Sequence, residues 1–222
     1  MKTADQKMPT THGEDESSSR RSKILAAAAD VFAQQGFDGT SFGTVAQAAD
    51  VKKSLVQYHF KSKEKLWQES IHWVWKQRDQ ALPKYLQKTS LNDGNDNAQM
   101  VRELCKQILQ FTFDHPQWVK LMFQEASTPS PRLDWMVETF FKKDFANGKA
   151  VIELAQQQNL LPKVDAMDLL HILSGALIYL VNVAPISQRV LGENPNSEKY
   201  IDRHIHTLVC LLQGTPSITA NS

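Results

Sequence analysis

Apolar residues recur at a helical period almost without interruption from Ile24 onward, and no stretch of useful length alternates as a strand would. Ile24, Leu25, Ala28, Val31 and Phe32 form the first stripe, which Gly36 is placed to end as a left-handed C′ residue. Val45, Ala46 and Ala49 suit a very short helix with Thr40 or Ser41 as N-cap, and Asp50 suits the turn after it. A third short helix is expected over about 52–60. Ser62 then caps a longer one carrying Leu66, Trp67, Ser70, Ile71, Val74 and Trp75 on one side. Further stripes run over 100–112, 118–123 and 133–155, with a stop at Asn159 and Pro162, and the last over about 195–213. With 222 residues, 41% of them hydrophobic, the chain can build a sizeable core, and the fold class is all-α.

The stretch from Leu169 to Gln188 carries no formal charge, which raises the question of a membrane span. His171, Ser174, Asn182 and Pro185 interrupt it, and neither a positive cluster nor paired aromatic belts flank it. A helix apolar nearly all round over 166–184 is therefore expected to be covered within its own domain or by a partner chain, with no membrane involved. The N-terminal segment is polar, contains acidic residues and has no apolar run, so a secretory signal is not expected. Cys105 and Cys210 lie far apart and read as reduced thiols of a cytoplasmic protein.

Lys+Arg 25 against Asp+Glu 24 leaves a formal charge of +1, so any site for a polyanion has to be local. Thr40 to Lys65 offers one. A short helix, a tight turn and a second short helix with a polar, basic outer face is the pattern of a helix-turn-helix. Five lysines (52, 53, 61, 63 and 65) face a single acid, Glu64, between Lys52 and Lys65. Lys52, Lys53 and Lys63 fall at helix starts, where a cation opposes the macrodipole at a cost of roughly 0.3–1 kcal/mol. A phosphate docking there would offset that cost. Gln57 adds an amide able to read adenine, with Tyr58 and His59 beside it.

The run SRRSKILAAAADVFAQQGFDGTSFGTVAQAADVKKSLVQYHFKSKEKLW resembles the DNA-binding domain of TetR-family transcriptional regulators. The resemblance rests on F-x-x-x-G-F (Phe32 to Phe37), Thr40–Ser41, V-A-x-A-A and, most specifically, Y-H-F-x-S-K-E-x-L from Tyr58 to Leu66. It implies that Lys52, Lys53, Ser54 and Gln57 lie on the recognition helix, and that Tyr58, His59 and Lys63 grip phosphates. It also implies backbone contacts from Thr40 and Ser41. Asp50 stands where Gly is common, Lys52 where a capping Ser or Thr is common, and Gln57 where an aromatic residue is frequent. The operator sequence therefore does not follow by analogy. Arg20 and Arg21 are placed to reach a minor groove.

The domain organisation that follows is a disordered tail over 1–19, a three-helix helix-turn-helix domain over 20–67, a larger helical dimerisation and effector-binding domain over 68–213, and a flexible tail over 214–222. The resemblance implies a homodimer on a double-stranded DNA operator, released by a small-molecule effector. Leu173, Leu177 and Leu180 on the apolar helix, with Ile201, Ile205, Leu208 and Leu212 on the last, are the expected dimer interface. Trp118, Met122, Phe123, Trp135, Phe140 and His171 are the candidate ligand pocket, though such stripes equally suit plain core. His204 and His206 do not share a helical face, and neither a metal site, a cofactor site nor a catalytic motif is expected. A ligand-independent regulator, an activator, and a small-molecule-binding protein with a vestigial helix-turn-helix are the alternatives.

Overall fold

The computed structural model describes residues 12–86 and 97–213, and among these the regular structure is helical, with no strand. The chain divides into two compact units, Met1–Lys76 and Gln77–Ser222, with the division inside a helix and beyond residue 67, where the sequence suggested it.

The first unit contains α1 (His12–Gly39), α2 (Phe42–Ala48), α3 (Lys53–His59) and the start of α4 (Lys63–Leu86). Helix α1 begins at His12, inside the segment expected to be a disordered tail; extending an existing helix needs no new nucleus. Residues 1–11 lie outside the described residues, as do 87–96 and the expected tail over 214–222. Gly36 breaks α1 with φ 75° and ψ 174°, a backbone conformation reserved in practice for glycine. Asp50, with φ 50°, makes the left-handed turn after α2. Ser62 Oγ accepts from the Lys65 backbone N–H at 3.1 Å and so starts α4 as expected. Ile24, Ala28, Phe32, Val45, Ala46, Val56, Phe60, Leu66, Trp67 and Ile71 are the buried core.

The second unit continues with α5 (Asn97–Asp114), α6 (Gln117–Ala126), α7 (131–157), α8 (Ala166–Leu191) and α9 (Glu198–Gln213). A π turn interrupts α7 at Val137–Phe141 and α8 at Gly175–Tyr179. His204 on α9 donates through Nε2 to the Ala176 carbonyl at 2.8 Å, engaging a backbone acceptor within the second π turn. Asn159, with φ 55°, follows α7 as expected. Helix α8 runs past Pro185 to Leu191, where Gly192 (φ 70°) caps it. Its N-cap is Asp165, whose carboxylate accepts from the Asp168 and Met167 N–H groups and is held by them below its ordinary pKa.

The expected dimer residues turn out to be core. Leu177, Leu180, Ile201, Ile205 and Leu208 are buried with Val101, Cys105 and Leu109 of α5, and Leu173 and Leu212 pack against the same cluster. Burial there pushes the Cys105 thiol up to about 11. Helix α8 nonetheless keeps a second apolar side: Ile172, Tyr179, Ile186 and Val190 are exposed, and only 22% of its most apolar window is buried within the chain. Ile172 lies before the π turn, Tyr179 at its end, and Ile186 and Val190 beyond it. Two apolar stripes on opposite sides make this helix look apolar all round.

The contrast is testable on α9. Ile205→Ala, at 1% exposure, is expected to cost about 2–5 kcal/mol in urea unfolding. Leu211→Ala, at 75% exposure, is expected to change stability by less than about 0.5 kcal/mol.

Candidate nucleic-acid interface

A seven-residue helix cannot stand alone in water, so α3 exists because one side of it is buried. Val56 and Phe60 are both 0% exposed, and α3 packs on α2 while α2 packs on α1. The opposite side is left to solvent: Lys52, Lys53, Ser54 and Gln57 are all exposed, and Tyr58 is 78% exposed. Lys52 is the N-cap residue and makes no side-chain capping bond, as its side chain cannot accept from the helix N–H groups. The first turn of α3 holds no acidic residue. Tyr58 and His59 meet edge to face at 5.3 Å, and His59 is half-buried at the end of the same helix. Six of the nine residues expected to touch DNA therefore share this helix.

The other three behave differently. Ser41 is exposed, but its hydroxyl accepts from the Thr44 N–H at 3.1 Å while Thr44 Oγ1 accepts from the Ser41 N–H at 2.9 Å, a complete capping box. Thr40 is 2% exposed, and its hydroxyl donates to the Gly36 carbonyl at 2.7 Å. That orientation makes Thr40 a brace for the break in α1. Lys63 is half-buried: its ammonium donates to the Phe37 carbonyl at 2.9 Å and lies 4.4 Å from the Phe37 ring centroid. Its cost at the start of α4 is thus offset by bonding to carbonyls at the end of α1, with no phosphate required. Arg21 is likewise structural, paired with Glu69 and with its guanidinium carbon 5.3 Å from the Phe60 ring centroid. Sequence reasoning identified these residue types but had no means of seeing which cations the fold itself uses.

Residues 24–69 match the family model described as bacterial regulatory proteins, tetR family. Over these residues the chain is similar to the tetR family. Among curated relatives, this chain is 26% identical over 141 residues to "Probable HTH-type transcriptional regulator YttP" of Bacillus subtilis (strain 168), covering 63% of this chain and 66% of that protein. It is 24% identical over 110 residues to the biofilm operon icaADBC HTH-type negative transcriptional regulator IcaR of Staphylococcus aureus (strain Newman), covering 49% and 55%. The chain thus spans between half and two thirds of these relatives' lengths. The fold is also that of the TetR-family transcriptional regulator PfmR from Thermus thermophilus, with TM-score 0.60, 20% identity and coverage of 95% and 100%. AibR, solved in complex with isovaleryl coenzyme A and operator DNA, gives TM-score 0.64 at 16% identity, with coverage of 87% and 97%.

The six candidate pocket residues fall into separate contacts. Trp118 lies beneath the Arg78 guanidinium, whose carbon is 5.8 Å from the ring centroid; Phe123 meets Tyr179, Trp135 meets Phe140, and His171 meets Phe145. Met122 is half-buried on α6. A cavity of about 570 Å³ in the second unit is lined by other residues, among them Phe113, Pro185, Gln188 and Arg189. Sequence reasoning passed over Arg78, which donates to both carboxylate oxygens of Asp144 at 2.6 and 2.8 Å. Its only sequence signal is a lone arginine beside an aspartate.

Thr40→Val separates bracing from binding. Loss of the buried hydroxyl bond is expected to cost about 1 kcal/mol of stability in denaturant unfolding. DNA affinity of the folded protein is expected to stay at the wild-type value in a filter-binding titration.

Proposed function

We propose that this chain is a cytoplasmic, homodimeric, sequence-specific transcriptional repressor that leaves a roughly palindromic operator in duplex DNA when a small molecule binds its second unit. The observation that carries the reading is α3: one side anchored by Val56 and Phe60, the other presenting Lys52, Lys53, Ser54 and Gln57 together to solvent. Such a helix fits a major groove, where Gln57 has the bidentate amide for adenine and the lysines meet phosphates or guanine. Tyr58 and His59 at its far end are suited to the phosphate backbone.

Two recognition helices about 34–36 Å apart are needed to read the half-sites of a palindrome. The exposed apolar side of α8 supports the dimer that would supply them, since Ile172, Tyr179, Ile186 and Val190 gain most by meeting the same surface of a second copy. An effector acts by binding one of two conformations more tightly, so that the population with the correct spacing falls. Trp118 supports a place for it: its Nε1–H is buried with no acceptor among the described residues, a cost of about 1–3 kcal/mol that an acceptor on a ligand would relieve. The relatives point the same way, in that IcaR is a negative regulator and AibR has been solved with both a coenzyme A thioester and operator DNA. The reading assigns the chain no catalytic step and no cofactor.

Selection of bound duplexes from a random pool tests the reading, with a palindromic consensus as the expected result and recovery of no consensus as the outcome that sinks it. In the same assay Gln57→Ala is expected to relax preference at about one position per half-site, by roughly 1–3 kcal/mol of discrimination. Ile186→Glu is expected to convert the dimer to a folded monomer in sedimentation velocity and to weaken operator binding at least tenfold. A dimer that survives this substitution would remove α8 from the interface.

A further inference from the structure

We propose that His204 is a positioning residue for the dimer: by holding the Ala176 carbonyl inside the π turn of α8, it sets the rotation of the second half of that helix, and so the face that Ile186 and Val190 present to a second copy. The inference rests on the proposed α8 dimer and adds to it a control exerted from the neighbouring helix α9.

In an unbroken α-helix each residue advances about 100°, and each carbonyl accepts from the N–H four residues on. A π turn takes up one residue more, so everything beyond it is displaced by about 100° from where a continuous helix would put it. The turn at Gly175–Tyr179 therefore decides which residues after it face the core. With the turn in place, Leu180 and Val181 join the cluster of Leu177, Ile201, Ile205 and Leu208. Ile186 and Val190, 64% and 76% exposed, stay outside it. Breaks of this kind are where a side chain can enter the ladder of helix hydrogen bonds. Here the side chain is His204, which reaches across from α9 and donates through Nε2 to the Ala176 carbonyl at 2.8 Å.

His204 is half-buried and is itself held in place. Its ring stacks on that of Tyr200, with centroids 6.4 Å apart and planes at 21°. The Arg203 guanidinium carbon lies 4.8 Å from the Tyr200 ring centroid, and Arg203 pairs with Glu193, one residue after the Gly192 cap of α8. Helix α9 thus takes hold of α8 twice, at the π turn and just past its end. The stretch between the two holds carries Ile186 and Val190. Gly175 is suited to be the extra residue that the turn takes up, because a Cβ there would meet nothing within 4 Å and its removal forfeits no side-chain packing.

The test measures the dimer dissociation constant of the full chain by sedimentation velocity over a dilution series, with urea unfolding to confirm that each variant folds. The chain is compared as wild type, His204→Ala, His204→Gln, a deletion of Gly175, and that deletion combined with His204→Ala. Loss of the His204 bond is expected to reduce the population that carries the correct face and to raise the dissociation constant about tenfold. His204→Gln keeps an N–H donor of similar reach and is expected to restore most of the wild-type value. Deleting Gly175 removes the extra residue, so both halves of α8 keep their faces in one continuous helix. That variant is expected to dimerise as wild type does, and within it His204→Ala is expected to change nothing. A direct contact between His204 and the second copy would persist without the π turn, so an equal loss from His204→Ala in both backgrounds overturns the proposal. A wild-type constant for folded His204→Ala also overturns it, as does a His204→Gln variant no better than His204→Ala, or a Gly175 deletion that fails to fold or to dimerise. If His204→Ala alone fails to fold, the combined variant decides: wild-type dimerisation upholds the proposal and its loss overturns it. A wild-type chain that is monomeric throughout, or a dimer that survives Ile186→Glu, removes the α8 dimer itself, which is a different result from an unmoved constant.

Discussion

The burial of Val56 and Phe60 is the constraint on which the first unit depends. Helix α3 is too short to pay its own nucleation, and its first turn has neither a side-chain cap nor an acidic residue. What holds it is a contact on one side only, with α2 beneath it and α1 beneath α2. One-sided anchoring is also what makes it useful. The residues that do not touch the core are left in a single row, and their side chains are free to meet another surface.

Around that helix the cations divide by what they touch. Lys63 is committed to the end of α1, where it bonds carbonyls left over by the break at Gly36 and covers the Phe37 ring, which itself stacks on Phe32. Arg21 is committed to Glu69 and the Phe60 ring. Lys52, Lys53 and Lys23 remain exposed to solvent. Charge alone would have grouped all of these as one basic patch. The fold separates those that stabilise the unit from those available to a partner, and the two groups should respond oppositely to salt and to denaturant.

In the second unit the same division falls across a single helix. Helix α8 carries one apolar stripe toward α5 and α9 and another toward solvent. The inner stripe includes Leu177 and Leu180. The outer one includes Ile172, Tyr179, Ile186 and Val190, all exposed. The π turn at 175–179 changes the angular position of everything beyond it. Counting along an ideal helix from Ala166 therefore misassigns faces in the second half.

Much of this architecture was legible in the sequence because it depends on local chemistry. Helical period, the Ser41 and Ser62 caps, and the left-handed backbone at Gly36 and Asp50 all follow from residues within a few positions of one another. The run from Tyr58 to Leu66 likewise carried the resemblance to the family and, with it, the exposed side of α3. Which of two equivalent apolar stripes faces inward, whether Thr40 or Ser41 points to solvent, and which cations the fold has already used were decided only by the tertiary structure. Those questions depend on partners tens of residues away: Lys63 on Phe37, Arg21 on Glu69, Ile205 on α5. A sequence lists what each side chain can do, whereas burial and proximity determine which of its options is taken.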